Sequence, residues 1–199
     1  LVETRANEAD TLRLRVGREE HVFVLYFVDA IEATPSHPQR VKDQSRWFGD
    51  VDEQRLIETG VEAVNYVRDL LNSRPFQVVT RWERVPNSMR YYALILVEFQ
   101  PGKHVYLADL LMQKGYARIH GVTTPLPNDA RDLITYLNEL TRLGQSARAA
   151  KAGVWRHTAT TAAFNWVYAR PSSCRHRAVR RLRFWRRHHP PEHHLHHGR

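Results

Sequence analysis

The run FVLYFVDAIEA, Phe23–Ala33, carries six apolar or aromatic residues straight into Asp29, with Glu32 three positions on. A strand of that composition belongs in a core, so two carboxylates at its end need a reason. Acids at a strand end most often form turns or cap helices. The chemical alternative is a set of hard oxygen ligands, or a group that takes a proton from water. Asp10 lies just before an alternating segment, TLRLRV, and Arg90 opens a second apolar run, RYYALILVEF. Three acids near one another repel unless a cation sits among them.

The elements that must position these residues follow from periodicity. In Thr11–Val16, Leu12, Leu14 and Val16 alternate with Arg13 and Arg15, which predicts a half-buried strand. His21–Val28 is apolar on both faces and reads as a covered strand, paired with the first as a hairpin. Prolines 35 and 38 and Gly49 break the polar stretch that follows, so it is expected to be a long excursion, with Trp47 and Phe48 as its hydrophobic anchor rather than a base-stacking platform. Helical spacing of Ile57, Val61, Val64, Val67 and Leu71 predicts a helix over Asp52–Asn72. Pro75–Val85 and Arg90–Phe99 read as a second hairpin joined by PNSM. HVYLADLLMQKGYARIH predicts a short strand, a short helix stopping at Gly115 and another short strand. A last helix is expected over Asn128–Lys151, with Ala130, Leu133, Ile134, Leu137, Leu140, Gly144 and Ala147 on one face and Gly153 ending it. No repeat of twenty to fifty residues appears.

Charge separates body from tail. The chain has 199 residues and a net charge of +9, yet Arg170–Arg199 alone carries +8 and the remainder only +1. The basicity is therefore no argument for nucleic-acid binding by the folded part. Residues 158–199 are rich in arginine and histidine with little aliphatic periodicity, so the tail is expected to be disordered beside one domain over residues 1–157. Its histidine pairs lack a scaffold to fix a metal geometry. RRLRFWRR resembles surface-binding segments in composition but is read as a solvated extension. Cys174 is the only cysteine, which excludes an intrachain disulfide and a paired-cysteine zinc site. No run of about eighteen apolar residues occurs, so no membrane span is expected, and no basic-then-apolar leader opens the sequence. Localisation is left open.

With the elements placed, the sequence resembles the thermonuclease family, the staphylococcal-nuclease-like proteins. EADTLRL is similar to the family's DGDTxxL, and FVLYFVDAIE to FRLxxVDxPE, with no gap needed between Asp10 and Asp29. GVEA at Gly60–Ala63 resembles GxEA, MRYYALI resembles GRxLAxI, LADLLMQKGYARI resembles the segment ending in GLAxV, and ARAAKAGVW resembles AxxxxxGxW. The resemblance covers roughly residues 2 to 155. It implies an α+β fold, a five-stranded OB-fold β-barrel with about three helices, acting as a monomer. It also implies Ca2+ held by Asp10, Asp29 and the backbone carbonyl of Ala30, Glu32 as the group that orients or deprotonates water, and Arg90 on the phosphate of a DNA or RNA substrate.

Departures bear on activity. Val24 stands where the family pattern has an arginine, and an arginine acting on a transferring phosphoryl group is worth on the order of 10³ to 10⁵ in rate. Arg13 or Arg15 are candidates to reach in from the neighbouring strand. PNSMR replaces DxYGR, Ala9 replaces a glycine and Ile31 a proline. Two readings stay open: a calcium-dependent nuclease weakened by Val24, and a catalytically impaired OB-fold module that binds nucleic acid or protein. The intact acid trio favours the first.

Overall fold

A computed structural model describes residues 1–127, 129–158 and 180–184. Strands β1 (Thr11–Val16) and β2 (Glu19–Leu25) form the expected antiparallel hairpin, and β4 (Phe76–Arg84) and β5 (Tyr91–Gln100) form the second. β5 joins them, because its first residues pair in parallel with β2 and its last with β6 (Lys103–Tyr106). The strand path β1-β2-β5-β4 continues to β8 (Arg180–Phe184), and among the described residues no ladder closes it into a barrel. A mixed α+β architecture is present; where the resemblance implies a five-stranded OB-fold β-barrel, the sheet stays open among the described residues.

Three other expectations change. The single strand predicted over His21–Val28 splits into β2 and β3 (Val28–Ala30), because Phe27 adopts a left-handed backbone with φ 76° and turns the chain. Beyond the bend, β3 leaves the large sheet and pairs with β7 (Ala117–Ile119). The predicted excursion contains a helix, α1 (Pro38–Trp47), so there are four α-helices among the described residues rather than about three. Pro38 suits a first helical turn, where a missing N–H costs nothing, and Gly49, φ 90°, lies just past the end. What reads as breakers in the sequence are start and stop signals. The third change is in the tail: Arg180–Phe184 pairs antiparallel with β4, while the rest of residues 159–199 lies outside the described residues, and so does the expectation of disorder there.

The remaining helices follow their patterns. α2 (Glu53–Ser73) is capped by Asp52, whose side chain accepts from the Arg55 N–H at 3.0 Å. α3 (Leu107–Lys114) stops at Gly115, which is left-handed as a helix end favours. α4 (Leu133–Ala149) starts later than predicted, at an Asp132 cap, so Ala130 lies before it; Ile134, expected on the apolar face, is exposed, and Tyr136 is buried there instead. Gly153 does not end α4; it opens a 3₁₀ turn, Gly153–His157. Leu12, Leu14, Phe23, Leu25, Val78, Ile95 and Val97 of the sheet bury against Ala63 and Val67 of α2 and Leu107 and Leu111 of α3. A second cluster of Ile31, Val41, Phe48, Leu56, Val154 and Trp155 seats α1. Phe48 is thus an anchor, as expected. No helix among the described residues is long and apolar enough to cross a membrane.

Candidate functional site

β3 is three residues long and entirely buried, and it carries Asp29 and Ala30. Its register on β7 places Asp29 opposite Arg118, and Arg118 Nε donates to Asp29 Oδ2 at 2.8 Å. An opposite-charge pair directly across two strands is favourable, and here both partners are nearly enclosed, with side chains 12% and 10% exposed. Asp10 ends the loop before β1. Its carbonyl accepts from the Leu25 N–H at 2.9 Å, its Oδ2 from the Ala30 N–H at 2.7 Å, and its Oδ1 from the Thr11 hydroxyl at 3.0 Å. These bonds bring Asp10 beside β3.

Glu32 follows two residues after β3 and is held by two contacts. Its N–H donates to Gln44 Oε1 at 2.9 Å. On the other side, α2 comes so close that a Cβ on Gly60 would stand 2.1 Å from the Glu32 carbonyl oxygen. Only glycine permits that approach. The Glu32 side chain is 2% exposed. One carboxylate oxygen, Oε1, accepts from Arg40 Nε; the other, Oε2, is buried with no hydrogen-bond partner among the described residues, and His37 Nδ1 lies 3.9 Å from it.

α1 completes the cluster. Arg40 and Gln44 are one turn apart and share a face, as residues i and i+4 do. Arg40 Nη2 donates to Asp29 Oδ1 at 2.9 Å while its Nε serves Glu32, so one guanidinium bridges both acids. Gln44 Nε2 donates to the Ala30 carbonyl at 2.7 Å and to Asp29 Oδ2 at 3.1 Å. Val41, between them, packs into the second core cluster and fixes the helix.

The electrostatics match this crowding. Burial, and then the Asp29 charge, push the Asp10 carboxyl up to about 7, against the opposing bond from the Ala30 N–H. Burial and Glu32 raise Glu8 above the usual carboxylate range, opposed by Arg40, His37 and Arg90. Burial disfavours the Arg40 charge, but Asp29 and Glu32 outweigh it and hold its pKa above the ordinary guanidinium value.

The structure therefore brings Asp10, Asp29, Ala30 and Glu32 into one neighbourhood. Arg90 stands apart. It is exposed, its Nε and N–H both donate to Ser88 Oγ, and it makes no ion pair among the described residues, although its charge is felt at Glu8. Arg13 and Arg15 do not reach in; both pair with Glu20 on the outer face of the hairpin. Val24 sits across the ladders from Thr11 and Tyr92. The cations at the acids are Arg40 and Arg118, which the sequence reading did not single out. Ala117 and Ile119 alternate with Arg118, which signals only that it faces away from the core.

Among the described residues no group of three or more histidine, cysteine, aspartate or glutamate side chains is arranged to hold a metal ion as it stands. The acids share guanidinium and amide partners instead. The donor chemistry nonetheless suits a hard cation: the set is all oxygen, each carboxylate has about four lone-pair sites, and one buried oxygen is unused. No family model matches the chain, and no curated protein matches it.

Proposed function

We propose that this chain is a calcium-dependent phosphodiesterase acting on DNA or RNA, with Asp10, Asp29 and the Ala30 carbonyl holding the ion. The observation that carries the reading is the buried Glu32 Oε2 without a hydrogen-bond partner, in a neighbourhood where Asp10 and Asp29 also lie. Leaving a buried carboxylate oxygen unsatisfied costs about 1 to 3 kcal/mol, so such an atom points to a partner that is not part of the protein.

When bound, calcium supplies positive charge beside a phosphoryl oxygen. Glu32 accepts the proton of the attacking water, and its rigid placement by Gln44 and Gly60 fixes the approach. Arg90, exposed and without an ion pair among the described residues, is the group assigned to the substrate phosphate. Asp10 and Asp29 stay in place through the Ala30 N–H and Arg118.

The second reading, a catalytically impaired OB-fold module that binds nucleic acid or protein, is favoured by Val24 and by the two arginines already on Asp29. Fluorogenic single-stranded and duplex DNA, with calcium or chelator, separates the two. Calcium-dependent cleavage that is lost in Glu32→Gln establishes the enzyme. No cleavage by this chain, together with cleavage by Val24→Arg, establishes the disarmed module.

A further inference from the structure

Resting on that reading, we propose that Arg40 is a resident counter-cation which a divalent ion displaces, and that its released guanidinium then grips the phosphodiester of the substrate. The two arginines on Asp29 differ in their freedom. Arg118 is 12% exposed and locked into the β3–β7 register, whereas Arg40 is 51% exposed and reaches the acids from the first turn of α1. Arg118 is part of the frame; Arg40 is at the mouth.

Charge and geometry agree. Asp29 and Glu32 both turn an oxygen to Arg40, so this one side chain does what a small cation between two carboxylates does. Its planar fork also matches a phosphate, for which it has the same donors available once the acids are neutralised by another charge. Glu32 Oε2, buried and without a hydrogen-bond partner among the described residues, remains an acceptor that Arg40 does not satisfy. A divalent ion on Asp10, Asp29 and the Ala30 carbonyl would bring two charges where Arg40 brings one, and would leave the Glu32 carboxylate free to meet water. No bond is made or broken in the exchange. Gln44, one turn along, keeps hold of the Ala30 carbonyl and the Glu32 N–H, so the frame of the acids survives when Arg40 leaves.

The test compares the wild type, Arg40→Gln and Arg40→Lys in three assays: calcium chloride by calorimetry, thymidine monophosphate binding in calcium, and cleavage of single-stranded DNA. Arg40→Gln should bind calcium about tenfold more tightly, because one competing charge is gone. It should bind the nucleotide about tenfold more weakly and cleave about 10³-fold more slowly, the scale of a guanidinium on a transferring phosphoryl group. Arg40→Lys keeps the charge without the fork, so calcium affinity should stay near wild type while nucleotide affinity falls severalfold. Equal or weaker calcium binding by Arg40→Gln, or unchanged nucleotide affinity in Arg40→Lys, overturns the proposal. If the wild type cleaves with calcium and Arg40→Gln matches it in all three assays, only the role of Arg40 falls. If neither folded protein takes up calcium, the calcium reading falls with it.

Discussion

Among the described residues, two clusters of acids and arginines, one half-buried between helices and one around the buried strand β3, are built differently. Between α3 and α4, Asp109 accepts from the Tyr136 hydroxyl at 2.7 Å. Arg131 serves Asp129 through Nε at 2.9 Å and Nη2 at 2.6 Å, bonds Glu139, and lies 4.9 Å from the centre of the Tyr136 ring. The neighbouring groups satisfy one another, and that cluster joins two helices. At β3, by contrast, one carboxylate oxygen is left over, and the bridging arginine is half in water. A self-sufficient network stabilises a fold, whereas one with a surplus acceptor and a loosely held cation is suited to receive a ligand.

The contrast can be broken in order of effect. Arg118→Ala removes the enclosed partner of Asp29 and should lower unfolding free energy by about 3 to 5 kcal/mol, against about 1 to 3 kcal/mol for Arg40→Ala, whose half-exposed guanidinium water can replace. Equal losses in urea denaturation would erase the distinction between frame and mouth. Gly60→Ala pushes α2 against the Glu32 carbonyl and should cost about 2 to 3 kcal/mol. It should also depress cleavage beyond any loss of folded protein at 15 °C, since it moves Glu32 and not Asp10.

The smallest effect sharpens the other side. Burial raises the Asp109 carboxyl to about 6, despite the opposing Tyr136 bond and Arg131. An acid whose folded pKa lies above its unfolded value near 3.9 favours folding most at low pH, and that contribution is lost as pH rises through 4 to 6. Asp109→Asn should therefore gain on the order of 1 to 2 kcal/mol relative to wild type between pH 4 and pH 8. Parallel stability profiles for the two proteins would contradict this.

The acids could be seen in the sequence because each flanks or closes a strongly patterned strand, and such patterns are local. Both hairpins, α2 and the α3 stop at Gly115 were legible for the same reason. α1 was not, since Pro38 and Gly49 have opposite meanings inside and at the ends of a helix, and its apolar content is concentrated in Val41, Trp47 and Phe48. With α1 went Arg40 and Gln44. Arg118 was hidden differently: its partner is 89 residues away in sequence, and only the β3–β7 register joins them. Periodicity reports which face a residue takes, not what waits there.

The strand at Arg180–Phe184 has a practical side. It lies along the outer border of β4, whose other border is taken by β5. A version of the chain cut after the 3₁₀ turn would retain both hydrophobic clusters yet bare a line of peptide N–H and C=O groups at Phe76–Thr80. Bare borders of that kind recruit further chains, so the shortened protein would be prone to self-adhesion through a part of its surface remote in sequence from the cut.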